Sequence, residues 1–270
     1  MFQNITENEE QVDTINYDYK EENITKKSFK DLFSINDIVL YAISLMASMV
    51  SFGGELAPFG LAIFAASCSN QVPVAIIYLC TLVGTTIGFG FKGLLIYAIT
   101  TILFVAMTLV FKKRYEDKTR NEKQKLGLYV VISILIVQIV KLIFGMFLWY
   151  DLLSSITLAI VTYIFYKIFV NSITVVREYG IKVFTIEEVI GASLLLAIAI
   201  YSMHGLNVFG LSISNILCIM IVMFLGWKNG MLVGATSGIT IGMVIGIIGS
   251  GSPILIASYA ISRNDSWFIK

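Results

Sequence analysis

Residues 126–148, LGLYVVISILIVQIVKLIFGMFL, and residues 152–173, LLSSITLAIVTYIFYKIFVNSI, are two long apolar runs joined only by Trp149-Tyr150-Asp151. Each carries a single charge, Lys141 in the first and Lys167 in the second. A helix needs about 20 apolar residues, at 1.5 Å each, to cross a hydrocarbon layer of ~30 Å, so both runs are long enough to span a bilayer. Trp149 and Tyr150 suit the membrane boundary, where an amphipathic ring keeps one edge in lipid and the other in water.

The same pattern extends along the chain. Of its 270 residues 57% are hydrophobic and 14% charged, and the mean hydropathy is +0.84. That is more apolar surface than a globular core can hide, which makes the bilayer the solvent. A formal net charge of +1 conceals a strong segregation, with charges gathered in the first 37 residues, in Lys112 to Lys125 and in short connections. The opening 34 residues are polar and acidic and lack the basic start, apolar core and cleavage site of a signal peptide, so the first span must itself direct insertion. They hold too few apolar groups to offset chain entropy, which predicts a disordered acidic cytoplasmic tail over residues 1–34. Cys68, Cys80 and Cys218 lie inside apolar segments at no metal-ligand spacing and read as buried small hydrophobes.

Further apolar runs cover residues 35–52, 56–70, 72–89 and 93–111, and, beyond a polar stretch at 177–188, residues 189–203, 211–227 and 231–248. Pro58 suits a first helical turn. Gly90-Phe91-Lys92 leaves room only for a tight hairpin between two of these runs. A last run at 253–261, about nine residues or roughly 14 Å of helix, is too short to cross alone. The expected fold is therefore all-α, a polytopic integral membrane helical bundle over residues 35–262 with about eight to ten transmembrane segments, followed by a polar tail at 263–270. With the N-terminus inside, Lys20 to Lys30, Lys112 to Lys125, Arg177, Lys182, Lys228, Arg263 and Lys270 all face the cytoplasm, and only Lys92 lies outside. Lysine and arginine favour cytoplasmic loops, so both termini are expected there, in the cell membrane.

Few residues invite chemistry. Lys141 and Lys167 lie near the ends of their spans, where a lysine stem snorkels to water. Glu55 and Asp151 map to the outer interface, within reach of Lys92 or Lys141 for a structural ion pair. His204, at the outer end of a span, has no carboxylate or cysteine cluster beside it and reads as interfacial. Gln138, Thr85, Thr86, Thr100, Thr101, Asn215 and Thr236 are the polar groups that a small-solute transporter or channel, the alternative reading, would need around a midplane cavity. The chain has no phosphate loop, no dinucleotide fingerprint and no HExxH, so no catalytic residue, no metal, no cofactor and no nucleic-acid partner is expected. The basic stretch Lys112 to Lys125 has seven cations against Glu116, Asp117 and Glu122. It fits anionic lipid headgroups, although its topological role alone explains it.

The most specific local signal is a row of glycines, Gly226, Gly230, Gly234, Gly238, Gly242 and Gly246, at every fourth residue. On one helix such a row forms a stripe along which another backbone can approach closely. It can serve packing against a neighbouring span or self-association into a homo-oligomer.

Three stretches carry a family resemblance: Glu55-Leu56-Ala57-Pro58-Phe59-Gly60-Leu61-Ala62, Phe184-Thr185-Ile186-Glu187-Glu188-Val189-Ile190, and the glycine row from Gly230 onward. Together, over about residues 35–260, the chain resembles the multispanning N-terminal region of stage II sporulation protein E of endospore-forming Firmicutes. The resemblance implies a membrane region that anchors a cytoplasmic regulatory segment and a manganese- or magnesium-dependent protein serine phosphatase. That enzyme dephosphorylates an anti-anti-sigma factor, activates the forespore sigma factor, and acts at the polar septum with the tubulin-like division protein as partner. The likeness lapses at residues 262–270, which reads as a truncation, and none of the phosphatase's metal-binding aspartates is present. Glu187 and Glu188 match the family's acidic pair, and the positive end of a helix dipole gives them a plainer role. The expected function is that of a membrane anchor and localisation region without catalysis of its own, with the lipid bilayer and septal division proteins as partners.

Overall fold

The computed structural model describes residues 35–51, 57–70, 72–112, 119–144, 149–178, 184–208 and 211–249. The chain divides into two compact units, residues 1–38 and 39–270. In the first, only the opening turn of helix α1 is described. The expected tail at 1–34, Glu55, the loop at 113–118 and the end from 250 onward lie outside the described residues.

Eight helices occur among the described residues: α1 Ile35–Ser48, α2 Pro58–Ser69, α3 Val74–Lys112, α4 Thr119–Phe144, α5 Trp149–Arg177, α6 Ile186–Tyr201, α7 Ile213–Asn229 and α8 Met231–Ile248. One two-residue antiparallel ladder, β1 Asn207–Val208 with β2 Leu211–Ser212, precedes α7. It takes the first two residues of the run expected to be helical from 211.

The 39-residue α3 is not one rod. Gly90 has φ 67° and ψ −164°, a conformation open almost only to glycine, and the chain reverses there. The hydroxyl of Tyr97 donates to Thr81 Oγ1 at 2.8 Å, although sixteen residues of straight helix would hold those groups about 24 Å apart. The rings of Tyr78 and Tyr97 stack at 6.4 Å across the same turn. The hairpin read from Gly90-Phe91-Lys92 therefore stands, with arms at residues 74–89 and 91–112.

Helix α2 has Pro58 in its first turn and is buried on every side from Pro58 to Ser67. Phe59 meets Phe165 of α5 edge-on at 4.8 Å, and Phe64 meets Tyr78 and Phe104 of α3 at 5.4 and 6.0 Å. Its end is tied across the fold: Asn70 Nδ2 donates to the Val170 carbonyl of α5 at 2.6 Å. Helices α3 and α5 thus form walls around a short central helix, with α4 beside them. In a second group α6, α7 and α8 pack on one another, and α6 also packs on α5.

Outside, the usual distribution is inverted. Leu79, Val83 and Ile87 on one arm of α3, and Leu95, Ile99, Ile102 and Leu109 on the other, are exposed, while Thr81, Thr85, Thr100 and Thr101 are buried. The pattern repeats on α4, where Leu128, Ile132, Ile136 and Ile139 face out and Ser133 and Gln138 lie inside. Large aliphatic groups left outside and small hydroxyls held inside suit lipid rather than water. Among the described residues, four helices are long and apolar enough to cross a membrane: Val74–Phe111, Gln124–Phe144, Trp149–Arg177 and Met231–Ile248. The shorter α1, α2 and α7 are apolar but run to 14, 12 and 17 residues.

Candidate functional site in the helix contacts and helix ends

The buried hydroxyls show what polar groups do in this bundle. Thr81 donates to the Ile77 carbonyl at 2.9 Å, Thr85 to Leu82 at 2.9 Å, Thr100 to Ile96 at 2.7 Å and Thr101 to Tyr97 at 3.0 Å. Thr86 on α3 and Thr236 on α8 do the same, to Leu82 at 2.6 Å and Leu232 at 2.9 Å. Each proton goes to a carbonyl three or four residues back in its own helix. Of the polar groups set aside for a solute path, Gln138 is buried in α4, Asn215 lies in the first turn of α7, and Thr236 is exposed. They are spread over three helices. Among the described residues no group of three or more His, Cys, Asp and Glu comes together. Cys68, Cys80 and Cys218 are free thiols, and Cys218 Sγ lies 3.9 Å from the Ala197 carbonyl, linking α7 to α6.

The glycine row does not run through one span, as its period suggested. Gly226 belongs to α7, and Gly230, exposed with φ 91° and ψ 169°, ends α7 and precedes α8. A positive φ at Gly230 turns the chain, so the row is cut into two helices and its second member packs nothing. The remaining Gly234, Gly238, Gly242 and Gly246 are buried on one face of α8 with Val233, Ser237, Ile241 and Ile245. Leu232, Ile239, Met243 and Ile247 occupy the exposed face.

Another pair of glycines makes a close contact between α3 and α1. Gly84 and Gly88 on α3 lie against the end of α1: a Cβ built on Gly88 would meet the Met49 carbonyl oxygen at 2.7 Å and Met49 Cα at 3.1 Å, and Gly84 faces Ser48 and the Leu45 carbonyl. Gly60 of α2 faces the same Ser48. Ser44 and Ser48 are fully buried, and their hydroxyls bond back to Tyr41 and Leu45 at 2.8 and 2.7 Å. The Gly84-x-x-x-Gly88 spacing and the Ser44-x-x-x-Ser48 spacing are the signals that mark such a close crossing.

The charged groups gather at helix ends. Lys141 stands in the last turn of α4 and Asp151 in the first turn of α5, at one end of the α4–α5 hairpin. Asp151 there complements the positive end of its helix dipole. Lys92 is exposed just past the Gly90 turn. Lys167 lies on the exposed face of α5 with its Nζ 4.9 Å from the centre of the Tyr163 ring. At the start of α6, Thr185 Oγ1 accepts from the Glu188 N–H at 3.4 Å and Glu188 Oε2 accepts from the Thr185 N–H at 2.9 Å. That reciprocal cap gives Glu188 a structural role, which the Thr-x-x-Glu spacing carries in the sequence. The His204 ring is parallel to that of Tyr201 at 5.0 Å, beside the short β1–β2 ladder.

Long apolar helices, lipid-type surfaces and internally satisfied hydroxyls define the class: a multi-pass α-helical membrane protein. The family model described as SpoIIE, N-terminal domain, matches residues 2–260, and the chain belongs to that family. No curated protein and no solved structure matches the chain. The matched domain is the N-terminal one and not a phosphatase domain, so it suggests no catalysis.

Proposed function

We propose that the chain serves as a membrane anchor and localisation region that holds a sporulation phosphatase activity at the polar septum, where that activity leads to release of the forespore sigma factor. The observation that carries this reading is the family match over residues 2–260. The four helices long enough to cross a bilayer support the anchoring part. In this reading the termini and the basic stretch from Lys112 to Lys125 face the cytoplasm, where division proteins would meet them. The phosphatase acts from the same or a separate polypeptide, and the chain itself contributes position.

Self-association through α8 is the weaker element, because Gly234 to Gly246 are buried within the chain. A fluorescent fusion in sporulating cells tests the localisation. Enrichment at the polar septum is the expected outcome, and an even signal around the cell membrane would refute septal placement while leaving anchoring intact.

A further inference from the structure

The connection between α6 and α7 is apolar where a loop in water is polar. From Gly205 it reads Gly-Leu-Asn-Val-Phe-Gly-Leu, without a charge, and Leu206 and Leu211 are 51% and 61% exposed. In the β1–β2 ladder Asn207 stands opposite Ser212, and successive side chains along a strand point to opposite faces. Leu206 and Leu211 each adjoin one member of that pair, so they share the other face. The ladder is amphipathic, with leucines on one side and Asn207 and Ser212 on the other.

Much of its backbone is closed on itself. The N–H groups of Ser202, Met203, His204 and Leu206 donate to the carbonyls of Ala199, Ile200, Tyr201 and Met203. The Ile213 N–H donates to the Leu206 carbonyl at 3.1 Å, which adds one bond to the ladder. The Ser212 hydroxyl donates to the His204 carbonyl at 3.5 Å. Internal pairing of this kind lowers the cost of moving backbone out of bulk water.

The lengths of the two helices set the level of the ladder. Helices α6 and α7 pack on each other and are joined by this short connection, so the start of α6 and the end of α7 lie on one side of the membrane. That side is polar: Glu187 is exposed beside the Thr185–Glu188 cap, and Lys228 and Asn229 are exposed at the end of α7. The helices run to 16 and 17 residues, about 24 and 26 Å at 1.5 Å per residue, and tilt shortens their reach. With their polar ends at one boundary of a ~30 Å hydrocarbon layer, their other ends fall roughly 5 Å short of the opposite boundary. Tyr201 ends α6 there with the His204 ring parallel to its own at 5.0 Å, and aromatic rings suit that boundary.

We infer that residues 206–212 form an interfacial element that binds phospholipid. Leu206 and Leu211 lie among the acyl chains next to the headgroups, and Asn207 faces the headgroups. The amphipathic ladder supplies the apolar length that α6 and α7 lack. The inference rests on the membrane placement of the helices and is independent of septal localisation.

Spin labels on L206C, L211C and N207C test it in the full-length chain, reconstituted in vesicles of phosphatidylcholine with a minor fraction of phosphatidylglycerol. K92C at the Gly90 turn supplies a label in water, and I160C on the exposed face of α5 a label in lipid. The parent chain, labelled in the same way, gives the background from Cys68, Cys80 and Cys218. The readout is the ratio of collisions with oxygen, which partitions into lipid, to collisions with a water-soluble nickel chelate. It should be severalfold higher at L206C and L211C than at K92C, and lower at N207C than at either leucine position. Ratios at both leucine positions equal to that at K92C, with a high ratio at I160C, overturn the inference and leave the membrane placement intact. A water-like ratio at I160C as well overturns both. Labels at 206 and 211 shielded from both reagents would put a protein partner or a second copy on the leucines, which also overturns it. On the unsubstituted chain, a photoactivated diazirine carried by a phospholipid acyl chain should insert into the peptide containing residues 206–211. Insertion around Ile160 without insertion there gives the same refutation independently of any variant.

Discussion

Two rows of glycine at four-residue spacing lie in this chain, and they are used differently. Gly84 and Gly88 bring the backbone of α3 onto another stretch of backbone, from Leu45 in the last turn of α1 to Met49 just past its end. Gly234, Gly238, Gly242 and Gly246 share one buried face of α8 with Val233, Ile241 and Ile245. In the first region glycine is required by a carbonyl and a Cα; in the second it thins one face of a helix that keeps large residues on the other. In lipid, where burial of apolar surface gives helices little reason to associate, such fit carries the association.

The sharpest way to break the comparison is Gly88→Val. Its Cβ would fall 2.7 Å from the Met49 carbonyl oxygen, and backbone cannot rotate away as a side-chain end can. We expect a loss of about 3 kcal/mol, the upper end for overpacked sites, read as early thermal unfolding of the purified protein in detergent. A melting profile matching the parent would mean that the α1 contact is dispensable.

Gly238→Leu probes the second region, where the glycine lies on the buried face of α8, and overpacking that face should cost about 1–3 kcal/mol. On the exposed face, Ile239→Leu should stay within about 0.5 kcal/mol. Cross-linking in membranes should give the same oligomer distribution for Gly238→Leu as for the parent. A change in that distribution at unaltered stability would move the glycine face to an interface between copies and reverse the contrast.

The two regions also differ in how readable they are. The long runs were legible from α3 through α5 because lipid imposes both a length and an absence of charge, and the Gly90 reversal was legible because three residues leave space for nothing else. The glycine row misled because a period of four survives translation across a turn: Gly226 and Gly230 keep the spacing while belonging to a different helix and to the break itself. Gly84 and Gly88 sit in an ordinary apolar run, and only the fold supplies the Met49 carbonyl that explains them. The bond from Asn70 to Val170 joins residues a hundred positions apart, a pairing that no local pattern encodes. The Thr185 cap was present as a Thr-x-x-Glu spacing, but Glu188 was read through its charge alone.

A further small effect tests how the Gly90 hairpin is held. Its arms are joined by the hydroxyl of the fully buried Tyr97, which donates to Thr81 Oγ1, while Thr81 in turn donates to the Ile77 carbonyl. Removing the oxygen in Tyr97→Phe leaves the ring in place against Tyr78. Thr81 keeps its own acceptor, so no buried donor is stranded. The cost should then be that of a single hydrogen bond between helices in a membrane, about 0.6 kcal/mol, and Tyr97→Ala should exceed it severalfold by emptying the space between the arms. Equal losses for the two variants would mean that the hydroxyl, rather than the ring, closes the hairpin. The α3 arms would then rank with polar ties such as Asn70 to Val170 and not with the glycine contacts.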